Sequence, residues 1–69
     1  MRVKDVTPAE LKDALERLGW SEEPDDDSPE NWLLWHPKRR DPISVPKGVG
    51  FVDDALLDLA HRREPRLRL

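Results

Sequence analysis

The chain has 69 residues and no cysteine, so we expect one domain over residues 1–69, without disulfides or thiolate metal sites. A domain this small is marginally stable alone, and oligomerisation or a bound partner is expected to contribute to its stability. The formal net charge of −3 argues against a general nucleic-acid binder, and the lack of a long apolar run or signal-peptide pattern predicts a cytoplasmic protein without a membrane partner.

The first predicted helix covers residues 8–18, within the stretch VTPAELKDALERLGW. Thr7 is its expected N-cap, Pro8 fits the first turn, and Glu10 completes a capping box with Thr7. Gly19 supplies the left-handed residue that ends the helix. Between these signals, apolar residues recur at helical spacing and predict a buried stripe: Leu11, Ala14, Leu15 and Leu18.

The next segment, residues 21–30, contains six acids and two prolines. Such a segment cannot bury enough apolar area to order itself, so we expect an acidic loop. At most a short edge strand forms near Trp20 to Glu23, and Trp20 is expected to fold back on Leu15. The acids are either a solvated surface or a docking site for a basic partner.

Two strands are predicted after this loop, over residues 31–36 (NWLLWH) and 43–46 (ISVP). The first run is too apolar for a loop and too short for a helix, and prolines bound both runs. The intervening PKRRDP is typical of a turn. The pair therefore predicts an antiparallel hairpin with a longer loop.

Side chains alternate across a strand, so the first of these strands has two unlike faces. Leu34 is expected to face the helices. His36 lies on the same side, near the edge of the core, where a structural hydrogen bond to the following turn is favoured over catalysis. The opposite face carries Asn31, Leu33 and Trp35.

The second predicted helix covers residues 53–63 and begins at Asp53, which suits an N-cap and the positive end of the helix dipole. Its buried stripe is Leu56, Leu59 and Ala60. Its last turn carries basic residues that suit the negative end of the dipole: His61, Arg62 and Arg63. Pro65 ends the helix, and residues 64–69 are expected to form a flexible basic tail. The two histidines lack metal-ligand spacing, and no metal or cofactor is predicted.

This order of elements predicts an α+β fold with the succession α-β-β-β-α. Two amphipathic helices would cover one face of a small antiparallel sheet, which makes a two-layer sandwich. The predicted core combines the helical stripes with the helix-facing strand residues: Leu11, Leu15, Leu18, Leu34, Ile43, Val45, Leu56 and Leu59.

The order and spacing of four motifs resemble the HicA (YcfA-like) toxin family, small proteins with a double-stranded-RNA-binding-domain-like fold. The motifs are ELKDALERLGW at 10–20, NWLLWHP at 31–37, ISVP at 43–46 and DDALLDLA at 53–60. The resemblance covers most of the chain. It implies ribosome-independent mRNA cleavage and a HicB-type antitoxin as partner.

The family's functional residue is a histidine five positions before the histidine of its HP motif. In this chain the HP motif begins at His36, and the position five residues earlier is Asn31. Asparagine has no titratable nitrogen, so it cannot exchange a proton with a ribose hydroxyl. Neighbouring acids such as Glu30 would also repel phosphate. We therefore expect that the catalytic residue is lost, with His36 as the alternative catalytic candidate.

The remaining apolar residues of this strand, Leu33 and Trp35, predict a contact surface on the face that the helices leave open. Either another segment of the chain folds over them or they bind a protein, because tryptophan is enriched in interface hot spots. The sequence thus favours a catalytically degenerate HicA-like domain that binds a protein. Its partner would be a HicB-like antitoxin, another product of the same operon or a second copy of the chain.

The alternative function is that of an active HicA-type mRNA-cleaving or RNA-binding toxin, an endoribonuclease of a toxin–antitoxin system. Charge is uneven along the chain, since residues 1–35 carry four bases and ten acids and residues 36–69 carry eight bases and five acids. In this alternative, RNA phosphates would contact arginines of the basic half: Arg39, Arg40, Arg62, Arg63, Arg66 and Arg68.

Overall fold

The computed structural model describes residues 5–23 and 29–69. Its elements follow in the order α1 (Pro8–Glu16), β1 (Ser21–Glu23), β2 (Asn31–Trp35), β3 (Ile43–Pro46) and α2 (Asp54–Arg63). The strands form one antiparallel sheet in the order β1-β2-β3, and both helices pack against β3 on one face of it. The predicted α-β-β-β-α order of this small α+β fold is confirmed.

Helix α1 begins at Pro8 as predicted and ends at Glu16, two residues before the predicted end at residue 18, because residues 17–19 form a turn. Thr7 Oγ1 accepts a hydrogen bond from the Glu10 N–H at 3.2 Å, and the Glu10 carboxylate accepts one from the Thr7 N–H at 3.3 Å. At the other end Gly19 has a φ of 101°, and the Trp20 N–H donates to the Leu15 carbonyl at 3.2 Å. This Schellman-type turn directs the Trp20 side chain back into the core, as predicted.

The register of the hairpin gives β2 its two faces. Leu34 lies opposite Ile43, and Trp32 lies opposite Val45. Leu34, Ile43 and Val45 are fully buried beneath the helices, whereas Trp35 on the other face is exposed. The predicted alternation of β2 is therefore confirmed, because a slip of one residue would exchange the two faces.

The hydrophobic core differs from the predicted set at its margins. Leu18 and Leu56 are only partly buried against it, and Leu59 is half-buried outside the cluster. Five core residues lie outside the predicted set; two of them, Val6 and Val52, are fully enclosed, and the Val52 N–H donates to the Val6 carbonyl at 2.8 Å. The observed core is Val6, Leu11, Leu15, Trp20, Leu34, Ile43, Val45, Val52, Ala60 and Leu67.

The predicted flexible tail, residues 64–69, instead folds against the domain. Leu67 is 3% exposed, Glu64 is fully buried, and Leu69 packs against the core. A tight turn joins Glu64 to Leu67, and in it the Leu67 N–H donates to the Glu64 carbonyl at 3.0 Å. The prediction was wrong because the hydrogen bonds of Glu64, described below, hold this segment in place.

The short edge strand predicted at the start of the acidic segment is present as β1. Its three residues pair antiparallel with β2, with Ser21 opposite Trp35 and Glu23 opposite Leu33. The predicted loop continues through residues 24–28, which lie outside the described residues.

Candidate functional site

The sheet face opposite the helices brings the predicted partner-binding residues together. Trp35 is 39% exposed, and Leu33 is half-buried two positions away on the same face. The register of the sheet places small or polar residues around them. We call this surface the open face, and its described residues are Ser21, Glu23, Asn31, Leu33, Trp35, Ser44 and Pro46.

The open face has an apolar centre and almost no charge. Glu23 is the one ionisable side chain among its described residues, and no lysine or arginine belongs to them. Asn31, at the position where the resemblance implies a catalytic histidine, donates from Nδ2 to the Ser44 hydroxyl at 3.2 Å. This amide therefore joins β2 to β3. Binding of nucleic acid depends on cations that neutralise phosphate, so these residues suit an apolar protein contact better than RNA.

Both ring nitrogens of His36, the alternative catalytic candidate, have hydrogen-bond partners. Its Nδ1 accepts a hydrogen bond from the Lys38 backbone N–H at 3.0 Å, and its Nε2 lies 3.2 Å from the Leu18 carbonyl. Because that carbonyl can only accept, Nε2 carries the ring proton and donates it. The predicted hydrogen bond to the following turn is confirmed, and neither ring nitrogen is left free for proton transfer.

The surroundings of His36 leave little space. Its ring lies 5.4 Å from the ring of Trp20, at an angle of 59° between the planes. A Cβ atom on Gly19 would lie 3.0 Å from His36 Nε2, tighter than ordinary contact allows. Glycine at position 19 thus serves both the left-handed end of α1 and the close approach of the imidazole.

Four of the six predicted phosphate-binding arginines lie together. Arg39 and Arg40 come from the loop between β2 and β3, and Arg62 and Arg63 come from the last turn of α2. With Asp41 they line a concavity of about 200 Å³, which we call the basic concavity. The sequence places these two arginine pairs more than 20 residues apart, and the fold makes them neighbours.

The other two predicted arginines lie elsewhere. Arg66 and Arg68 line a separate hollow of about 230 Å³ with residues of α1 and the turn after it. Arg66 is engaged there, because it pairs with Glu64 at 3.2 Å and reaches the Leu18 carbonyl at 3.4 Å. The structure therefore divides the predicted arginine set between two surfaces.

Glu64 is the buried charged residue that the sequence interpretation missed. Its carboxylate accepts hydrogen bonds from Trp20 Nε1 at 3.2 Å and from the Arg66 backbone N–H at 3.1 Å. It also accepts from Arg66 Nε at 3.2 Å, and Arg39 Nη2 lies 3.6 Å away. Chiefly because of the Arg66 side-chain bond, the pKa of Glu64 falls from 4.5 to about 2, although burial acts in the opposite direction.

Among residues 5–23 and 29–69, no three His, Asp or Glu side chains come together to hold a metal ion. In the same part of the chain, neither helix is long and apolar enough to cross a membrane. Cellular location stays a prediction from the sequence.

No protein-family model, curated protein or solved structure matches this chain. The resemblance to the HicA family therefore stays a prediction from the sequence motifs. Any functional assignment depends on the geometry of the open face and the basic concavity.

Proposed function

We propose that this chain is a protein-binding module that contacts its partner through the open face. The observation that carries the proposal is Trp35, a large aromatic side chain 39% exposed on the face that neither helix covers. Leu33 lies beside it and adds apolar area. Tryptophan is enriched in interface hot spots. The inferred loss of HicA-type catalysis, argued from Asn31, agrees with a binding role.

Contact through the face is favoured over addition of a strand at either edge of the sheet. The Lys47 N–H donates to the Glu30 carbonyl at 2.8 Å, so by antiparallel alternation Ser44 and Pro46 direct their backbone groups outward. Pro46 has no N–H, which leaves the Ser44 N–H as the one outward donor within β3. At the other edge, β1 is three residues long and carries the charge of Glu22, features that discourage strand pairing.

The charge of this surface favours a partner with basic residues around an apolar patch. Glu23, the one ionisable residue among the described residues of the open face, borders Leu33. In a symmetric dimer through the open face, each copy would bring its Glu23 into the interface, and none of the described open-face residues is a lysine or arginine that could pair with it. A different protein is therefore favoured over a second copy, and a HicB-like antitoxin is the partner that the sequence resemblance implies.

Truncation of Trp35 tests the proposal. We expect Trp35→Ala to weaken partner binding about thirtyfold or more, because loss of a buried interface tryptophan typically costs about 2 kcal/mol or more. The fold should survive, since this side chain points away from the helices. The partner is first identified by pull-down with the native operon and mass measurement of the complex, and affinity is then measured by calorimetry.

The matched control is Phe51→Ala, which truncates another exposed aromatic residue outside the open face. It should leave affinity unchanged. Unfolding of Trp35→Ala with unchanged association of the chains that remain folded, or an equal loss of affinity in both variants, would show that the open face is not the binding surface.

A second prediction concerns the alternative function. We expect the purified protein not to cleave RNA and its expression not to be toxic, because Asn31 cannot transfer a proton and His36 has both nitrogens engaged. Asn31→His alone should not create activity, since Glu23 and Glu30 nearby disfavour phosphate. Incubation of the purified protein with RNA measures cleavage, and growth after induction measures toxicity. Robust cleavage that a folded His36→Ala variant lacks would establish the endoribonuclease instead.

A further inference from the structure

The basic concavity concentrates positive charge that the proposed function does not use. Four guanidinium groups and a single carboxylate, that of Asp41, line about 200 Å³. Clefts lined mostly by one sign of charge attract and concentrate ions of the opposite sign. A bound anion would also relieve the mutual repulsion of the arginines, so this site favours an anionic ligand.

Two of its arginines are held in place from outside the concavity. Arg63 Nη1 donates to the Pro42 carbonyl. Arg39 Nη2 lies 3.6 Å from the carboxylate of Glu64, which is itself fully buried. Because these side chains are already positioned, binding an anion costs less of their conformational entropy.

The other two arginines remain available to close on a ligand. Arg40 is exposed and makes no ion pair within the described residues. Arg62 makes a surface pair with Asp58 at 2.9 Å, and both side chains are largely exposed, so the pair contributes little. The loop that carries Arg39 and Arg40 is fixed at its start, because its first backbone donors bond to His36.

The size and charge of the concavity identify the chemical class of ligand. Its volume is below the 300–1,000 Å³ or so of pockets that hold drug-sized molecules, so it accommodates one small group. Guanidinium groups match phosphate and carboxylate oxygens through paired hydrogen bonds. Carboxylates partly balance Arg39 and Arg62, but a phosphate monoester offers three acceptor oxygens to the four guanidinium groups, whereas a carboxylate or a phosphodiester offers two. A phosphate monoester carries a charge of about −1.5 to −2 at pH 7.

We propose that the basic concavity binds a phosphate monoester group, carried either by a phosphorylated side chain or by a small metabolite. Arg39 and Arg63 provide the fixed part of the site, and Arg40 and Arg62 complete it around the ligand. This site is separate from the open face, so either proposal can fail without the other.

The test is a titration of the isotopically labelled full chain by NMR at constant ionic strength. One arm uses a phosphoserine peptide and the other adenosine monophosphate. We expect saturable shifts in residues 38–42 and 61–64 in at least one arm, and the arm with the higher affinity identifies the source of the phosphate. Arg40→Gln and Arg62→Gln should each weaken binding about tenfold or more, because each removes charge-assisted hydrogen bonds.

Arg17→Gln is the matched control. Arg17 pairs with Asp13 at 3.1 Å on the surface of α1, as Arg62 pairs with Asp58 on α2, but it lies outside the concavity. Arg17→Gln should not change the affinity for the phosphate ligand. Circular dichroism checks that all three variants fold. Equal weakening by Arg17→Gln, or the absence of saturable binding, would overturn the proposal. Equally tight binding of a short RNA without terminal phosphates would replace it with a nucleic-acid contact.

Discussion

Leu34→Ala is expected to lower the free energy of unfolding by about 2–5 kcal/mol, which is enough to unfold most molecules of so small a domain. Leu34 is fully buried in the central strand, opposite Ile43 and beneath both helices. Truncation leaves a cavity there, and the hydrogen-bonded strands on either side of β2 limit its collapse. Urea denaturation followed by circular dichroism measures the loss.

The neighbouring leucine provides a matched control for this substitution. Leu33→Ala removes the same atoms one position earlier, from a half-buried side chain on the open face. It should cost clearly less than Leu34→Ala, because less apolar area returns to water. An equal or larger loss in Leu33→Ala would mean that the two faces of β2 are assigned the wrong way round.

Glu64→Gln is expected to lower the free energy of unfolding by about 2–3 kcal/mol at neutral pH, since it weakens several hydrogen bonds to a charged group. The cost stays within this range because Arg66 and Arg39 are partly exposed, so water can solvate them once the carboxylate is gone. Thermal and urea denaturation measure the change. Glu16→Gln, which disturbs only a surface pair with Lys12, should change stability by no more than about 0.5 kcal/mol.

Glu64 also makes the stability of the fold depend on pH. The pKa of Glu64 is depressed in the folded state, so its contribution is fully present above about pH 4.5 and is lost as the pH falls towards about 2. We expect the wild type to lose stability over this window and Glu64→Gln to lose less. Parallel curves for the two proteins would show that Glu64 is not the group responsible.

The features that could be predicted from the sequence depend on residues close together in the chain. The capping box of Thr7 and Glu10 spans three positions, and the faces of β2 follow from alternation around Leu34. For the same reason, Leu33 and Trp35 could be placed on one surface in advance. Local rules of helix capping and strand geometry predict such features from neighbouring residues alone.

The features that were missed depend on contacts between distant parts of the chain. Glu64 follows a run of basic residues at the end of a helix, where charge is ordinarily solvated. Its bond to Trp20 spans 44 positions, and no local pattern announces it. The buried Trp20 indole N–H needs an acceptor, but the sequence does not indicate which of its several acidic residues accepts this hydrogen bond. Likewise, the grouping of Arg39 with Arg63 required the packing of α2 against the sheet.

The burial of Glu64 and Leu67 delays completion of the fold until residues 64–67 have left the ribosome. A nascent chain that has emerged from the ribosome only as far as α2 leaves the Trp20 indole without its acceptor. It also leaves the core without Leu67. Folding from the N-terminus onward therefore cannot finish while residues 64–67 are still inside the exit tunnel. During that interval the growing chain exposes apolar surface to chaperones and to neighbouring nascent chains.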